Sequence, residues 1–581
     1  LLLFDGPRED VADTTAYRYY STHDPMIVIE ASGDTTTFGL ADNLGNLTWE
    51  RSPNGDTTRY SYDEVGRLSA IVTRAGQSDS LTTSFEHNHA GKVTKVTLPK
   101  GNSLDYVYDD NGLLTDILNQ LGEKVHYGYD NYSHLSLVAM VDSSGDTVAF
   151  EEYAYNARGR IDTLKYPGGS LATFEYDPAG NLYTASDPNG NRTVFEFDPL
   201  NRLTRTGRFF SPGLAETHYG YDRHDNLTRV LDPDGNEYRY SYSDNGLLMY
   251  DSCAATGPSR YAYDPNGNLI ALKNAAGDSL HFTYDALDRL TDIACPDSQN
   301  VRYRYDGSQY LYGRGRLHTE TTAACSTTCR YDQYGRLWQE FRTTVGDTVR
   351  RTDYIYDRND NIAAIHYPSG NIYYYDYDAA DRVTMVTWKK GGHYALDTLV
   401  SNIKYDPFGE ATGWTLGNGV VVSESRSLRY FVNSITTVPA NILGRTYEHD
   451  SVGNVVAAID LLDSLNTARL AYDSLYQLTR AVSARYPDSL LRYDYSANGN
   501  RMGLLVDSGT AQQRTILLEY ADNRLVRHID GDTTFFGYDA IGNVTSIRTG
   551  GDVTTYEYSS LGQLVSVDSG LTAQFAYDGL G

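Results

Sequence analysis

Four cysteines, four tryptophans and five methionines are all that 581 residues contain of these types. Cys253, Cys295, Cys325 and Cys329 offer one close pair, Cys325 with Cys329, whereas a structural zinc site shows two. A local disulfide or free thiols fit that spacing better, and no metal or cofactor is expected. No apolar run reaches the length of about 18 residues that a membrane-spanning helix needs. Leu1-Leu2-Leu3-Phe4 is too short for a signal peptide. Basic residues are in deficit: 49 Lys and Arg face 76 Asp and Glu, leaving a net charge of −27. Neutralising phosphates takes clustered cations, so nucleic acid is not an expected partner. Neither a His-Glu-x-x-His pair nor a phosphate loop occurs.

What the chain has is a repeat. A Tyr-Asp pair followed by a glycine turn recurs as Tyr62-Asp63 with Gly66, Tyr108-Asp109 with Gly112, and Tyr176-Asp177 with Gly180. It returns as Tyr263-Asp264 with Gly267, Tyr331-Asp332 with Gly335, and Tyr538-Asp539 with Gly542. With that aromatic as marker, the register runs through 26 positions from Tyr20 to Tyr577, and 11 of the 25 intervals are 21 residues. A period of that length identifies a repeat architecture before any single residue is weighed. The spacing predicts an all-β chain: tandem antiparallel hairpins spiralling into an extended or partly closed shell, one continuous array over 1–581. Residues 1–16 form an incomplete edge and 400–450 is the most irregular stretch, with poor copies at Tyr430 and Tyr520. The absence of an initiator Met and the stop inside a repeat, at Tyr577-Asp578-Gly579-Leu580-Gly581, suggest a fragment.

Asp first, often Pro second and Gly fourth are the preferences of a type I turn, here closed by a left-handed residue as in three-residue hairpin loops. Where Gly is missing stand Asn201, Asp225, Asp288, Asp360 and Asp381, which tolerate positive φ best; Ser133 and Tyr476 do not fit. Counting across the turn predicts Tyr62 opposite Leu68 and Asp63 opposite Arg67. A second apolar position nine residues after the marker, such as Ile71, has an odd offset from Leu68, requiring either a bulge or apolar residues on both faces. Pro53-Asn54-Gly55, Pro188-Asn189-Gly190, Pro233-Asp234-Gly235 and Pro368-Ser369-Gly370 mark the other end of each hairpin. Tyrosine dominates the aromatics, 51 against 16 Phe. A buried phenol needs a hydrogen-bond partner, so the ratio points to a wet face or a hydrated interior.

Most apparent sites dissolve into this register. His87-Asn88-His89 is a variant Tyr-Asp copy. The loops at Asp187 and Asp232 have their Gly at the fourth position rather than the calcium-loop sixth, which makes them turns. The glycosylation-type triplets starting at Asn46, Asn131, Asn191, Asn226 and Asn543 come from the repeat itself. No catalytic, metal or cofactor-binding residue is assigned, and 405–450 is the first place to look for a pocket.

The Tyr-Asp-x-x-Gly-Arg-Leu unit resembles the YD repeats of the Rhs family, shared with the B and C components of Tc toxins and with teneurins. The resemblance covers about residue 17 to the end. It implies a hollow β-shell, secreted or at the cell surface, that in bacterial members encapsulates a C-terminal toxin segment and in teneurins serves adhesion. The Asp-Pro pairs (Asp177-Pro178, Asp198-Pro199, Asp264-Pro265, Asp406-Pro407) are repeat turns, so the family's self-cleaving aspartates are not carried over. The resulting expectation is a non-catalytic shell segment that cages or presents a C-terminal polypeptide of the same protein. The alternative is an adhesin whose tyrosine ladders contact glycans.

Overall fold

The computed structural model describes residues 2–210, 213–307, 312–483, 485–506 and 513–577; the final turn, Asp578 to Gly581, lies outside the described residues. Fifty-two strands, from Leu2–Phe4 to Ala573–Gln574, form one antiparallel sheet in which each strand pairs with its neighbours in sequence. Three single-turn 3-10 segments are the other regular structure among the described residues.

The hairpin of Thr57–Tyr62 and Leu68–Thr73 shows how a repeat is built. The Asp63 N–H donates to the Arg67 carbonyl at 2.9 Å and the Gly66 N–H to the Asp63 carbonyl at 3.1 Å, a type I turn closed by Gly66 at φ 87°. Tyr62 lies opposite Leu68 and Tyr60 opposite Ile71, with a register shift between Ser61 and Tyr62. That shift is a bulge, and it resolves the odd spacing. One extra residue on the return strand brings Leu68 and Ile71 to the face that already carries Tyr60 and Tyr62. The same shift precedes Tyr108, Tyr176, Tyr263, Tyr331 and Tyr538.

Two register assignments are corrected. The first turn opens at Tyr20, whose N–H donates to the Asp24 carbonyl, so the marker is Tyr19, opposite Pro25. Near 430 the marker position is Arg426, opposite Val432. Ser427 takes the aspartate's place there, its hydroxyl accepting from the Arg429 and Phe431 N–H groups, and Tyr430 fills the glycine position at φ 61°. The missing residue after Tyr520 reflects a two-residue turn with Asp522 and Asn523 at φ 52° and 63°; positive φ at both central positions is the type I′ signature. The stretch from 400 to 450 is thus irregular in sequence yet keeps its hairpins, Asp397–Tyr405 through Gly444–His449.

The sheet does not close; it winds past its own start, each strand pairing only with its sequence neighbours. Side-chain hydrogen bonds join residues 254 to 291 apart, in order along the chain, from Arg8 with Asp285 to Thr322 with Tyr577. Two windings and the start of a third result, and the Pro-Gly turns of each lie against the Tyr-Asp turns of the next. From Leu2–Phe4 to Ser279–Tyr284 there are 25 strand spacings. At about 4.8 Å each they give a circumference near 120 Å, and a wall roughly 10 Å thick leaves a lumen about 30 Å across. The wall is one sheet thick. Its buried apolar residues are few, with Ala139, Ala172, Ala364 and Ala457 among them, and no large side chain among the described residues is fully buried. The accessible surface is 31784 Å², whereas a compact chain of this mass would expose about 20,000 Å².

At Gly267, φ 90°, an added Cβ would meet only the Leu247 methyls at 3.9 Å, an ordinary contact, so Gly267→Ala isolates the backbone cost of the turn. We expect a loss of about 1–2 kcal/mol in urea unfolding. Gly551→Ala, at a site with ordinary φ and no neighbour within 4 Å, should be neutral. Equal effects of the two would contradict the left-handed turn.

Candidate functional site: the repeat node and the seam between windings

Each repeat is tied to the next by one recurring node. The phenols of Tyr62, Tyr108, Tyr176, Tyr263, Tyr331 and Tyr538 donate to the carbonyls of Leu47, Val93, Ile161, Leu248, Leu317 and Leu525, at 2.7–2.9 Å. Each acceptor lies just after the turn, at the head of the return arm of the preceding repeat, so the marker ring reaches backward across one hairpin. This explains tyrosine over phenylalanine: the hydroxyl satisfies a specific carbonyl. Burial pushes the Tyr62 and Tyr263 phenols above their ordinary pKa.

The aspartates organise the turn. Asp63, Asp109, Asp264, Asp332 and Asp539 each accept from the N–H groups two and four residues on. Asp177 accepts from Gly180 and Asn181. The glycines of these six turns, Gly66, Gly112, Gly180, Gly267, Gly335 and Gly542, have φ of 80–101°. Where the residue after the glycine is Arg, the guanidinium completes the node. Arg336 pairs with Asp332 at 2.7 Å, donates to the Asp357 carbonyl and to Asp360 in the following turn, and lies 4.5 Å over the Tyr356 ring. Arg202, Arg289 and Arg382 repeat the arrangement over Tyr221, Tyr305 and Tyr405.

At two turns where that Arg is Asn, a cation arrives from the other winding. Beside Asn268, Arg8 donates to the Asp285 carbonyl at 2.7 Å and to Asp288 at 3.2 Å, the same two acceptor types that Arg336 uses. Arg8 is almost fully buried, and its hydrogen bond to Asp10 raises its pKa further. Beside Asn361, Lys100 pairs with Asp357 at 2.8 Å and Asn102 donates to Asp381. These trans contacts carry no periodic signal in the sequence.

Side chains carry the seam: among the described residues no backbone-to-backbone hydrogen bond crosses it. Arg382 pairs with Glu123 at 3.0 Å, Asn189 donates to Asp450 at 2.9 Å, and Ser560 binds Asp297. Asp232 and Asp234 accept from Asn498, Asn500 and Asn523. Tyr476 has a reason for its position here. Held at φ 66°, it places its phenol between Asp187 and Asn191 of the winding below, under the Arg208 guanidinium. Ser133 also takes the left-handed position, at φ 65°.

The remaining candidates fall into place as structure. Asn88 caps its turn as the aspartates do, accepting from Ala90 and Lys92, and the Asp187 and Asp232 loops are capped alike. All four cysteines are free thiols, and burial pushes Cys329 up to about 11. Among the described residues no three His, Cys, Asp or Glu are grouped to hold a metal. The 405–450 stretch does border concavities: clefts of about 680 and 460 Å³ flank Arg429 and Phe431 where they meet Ser170 and Tyr166 of the first winding. Both lie on the seam, and Arg429 stacks on Tyr166 at 4.0 Å between them.

A hairpin ribbon wound into a hollow wall defines a class, and the comparisons agree with it. The Teneurin YD-shell family model matches residues 19–206 and 430–581, and the RHS Repeat model matches 221–258, 263–299 and 356–390. The chain belongs to the Teneurin YD-shell family. It is similar to the crystal structure of TcdB2-TccC3 (TM-score 0.76, 14% identity, 95% of this chain and 37% of that one). A Photorhabdus luminescens Tc holotoxin pore gives TM-score 0.78 at 13% identity, over 97% of this chain and 37% of that one. A 54-residue stretch is 41% identical to the probable deoxyribonuclease RhsB of Dickeya dadantii, 9% of this chain and 4% of that protein. The chain therefore spans well under half the length of these relatives. No helix among the described residues is long and apolar enough to cross a membrane.

The turn carboxylates give the node a pH dependence. Backbone N–H donation holds Asp42, Asp63 and Asp198 below the ordinary carboxylate pKa, and the Asn226 amide does the same for Asp222. A carboxyl depressed by folding stabilises above its unfolded pKa of about 3.9 and loses that contribution as pH falls through the folded value. The thermal midpoint should therefore fall continuously below about pH 4; a midpoint unchanged down to pH near 2.5 would contradict the capping role.

Proposed function

We propose that this chain is a non-catalytic wall segment of a secreted or cell-surface shell that encloses a C-terminal polypeptide, such as a toxin segment, of the longer protein to which it belongs. One observation carries this reading: the wall is a single sheet around a lumen about 30 Å across, too wide for side chains to fill and wide enough for a polypeptide. The lack of any concentrated departure from the repeat supports a scaffold over an enzyme. The glycan-binding alternative draws less support. Sugar stacking needs open ring faces, and marker rings such as Tyr305 and Tyr356 are covered by guanidinium groups while the phenols of others are engaged by backbone.

Protease protection in the full-length protein tests the reading. A downstream segment should be cleaved at least about tenfold more slowly inside the intact protein than when isolated, because cleavage would follow opening of the wall. Equal rates would overturn enclosure.

A further inference from the structure

The face of the wall opposite the marker tyrosines carries most of the exposed charge on the strands. Along much of it, residues that meet across neighbouring strands have opposite signs. Lys95 lies opposite Glu86 on one side and Asp105 on the other, Lys165 opposite Glu152, and Arg205 opposite Glu196. One sector departs from this arrangement. From Leu227–Leu231 to Val301–Tyr305 the same face carries Arg229, Arg239, Arg260, Lys273, Arg302 and Arg304 against two carboxylates, Glu237 and Asp292.

Here cations face cations. Arg229 lies directly opposite Arg239, and Arg260 opposite Lys273. Glu237 bridges the first pair, and Asp292 binds both Arg302 and Arg304. Arg260 and Lys273 are exposed, and among the described residues neither pairs with a carboxylate. The next winding continues the pattern. Its Asn498 and Asn523 donate to Asp232, which sets the strands around them beside this sector. There Arg480 lies opposite Arg492 on the same face, both exposed and likewise without a carboxylate partner among the described residues.

Like charges directly opposite on a sheet destabilise it. The register does not depend on them, since the tyrosine face and the turns set it. An arrangement that works against the fold without serving it is characteristic of a functional site. The sector is also bounded. It spans seven strand spacings, about 34 Å, and its strand edges are all paired. On the same face Glu196 and Glu216 border it on one side, Asp353 and Asp376 on the other.

We infer that this sector binds an acidic stretch of polypeptide, about ten residues long when extended across it. The borders decide the class of partner. A nucleic acid or a sulfated polysaccharide is charged along its whole length and would run onto the flanking carboxylates. A polypeptide can confine its Asp and Glu to the part that lies over the cations. The chain as a whole, at −27, repels polyanions, so the attraction is local, acting within a Debye length of about 10 Å at 0.1 M salt.

Fluorescence anisotropy of the full chain with a labelled ten-residue glutamate peptide, at about 0.1 M salt, tests the inference. The peptide should bind, and Lys273→Glu combined with Arg480→Glu should weaken binding about tenfold or more. Those substitutions place a carboxylate opposite Arg260 and Arg492, so the urea midpoint should hold or rise, which separates lost binding from lost folding. Lys165→Glu, outside the sector on the same face, should leave binding unchanged. The inference is overturned if the peptide does not bind or if the double substitution leaves its affinity intact. A fall in the urea midpoint of that chain would show that the cations serve the fold, and would also overturn it. So would an oligonucleotide or heparin fragment of equal charge that binds as tightly as the peptide.

Discussion

The hydrogen bond from each marker phenol to the backbone of the preceding hairpin is the contact on which the architecture rests. A two-stranded hairpin is marginal in water, and this wall has no second layer to pack against. Stability must come from the sides. The phenol supplies it in one direction and the turn arginine in the other, reaching forward to the next turn's carbonyl and lying on the next marker ring. Every hairpin is held by both neighbours, and the ladder of backbone hydrogen bonds runs on through the same boundary.

The bulge beside each marker is what makes that arrangement geometrically possible. Without it Leu68 and Ile71 would project to opposite faces, and half of the apolar side chains would leave the tyrosine face. With it, one face collects Tyr60, Tyr62, Leu68 and Ile71. A bulge also increases local twist, and one in each repeat bends the ribbon until its two edges meet. The meeting is of a different physical kind from the rest of the wall: carboxylates, amides and cations across a gap that no backbone hydrogen bond spans among the described residues. Teneurin YD-shell membership and the likeness to TcdB2-TccC3 fit this description of a wall.

Much of this was legible in the sequence because it is local. The period, the turn type and the pairing of Tyr62 with Leu68 follow from residues within one repeat, as does positive φ at Asn201, Asp225 and Asp288. The side of the bulge was not readable, because Leu68 and Ile71 allow two answers until a partner strand chooses. Tyr20 and Tyr430 misled the register for the same reason: a tyrosine near a turn looks like a marker, and only the hydrogen bonds show which residue opens the turn. The seam was invisible. Its contacts join residues more than 250 apart, and Arg8, Lys100 and Tyr476 are placed by the winding rather than by any motif. Tyr476 looked like a defect in its own repeat and proves to be a contact with another.

Lateral coupling is the central claim, and native-state hydrogen exchange on Tyr263→Phe tests it most directly. The substitution removes one hydroxyl, whose acceptor is the Leu248 carbonyl in the preceding repeat. The account predicts lost amide protection both in Gly257–Lys273 and in the preceding hairpin, Glu237–Cys253, by about 0.5–1.5 kcal/mol of opening free energy. A loss confined to Gly257–Lys273, with the preceding hairpin unchanged, would contradict it.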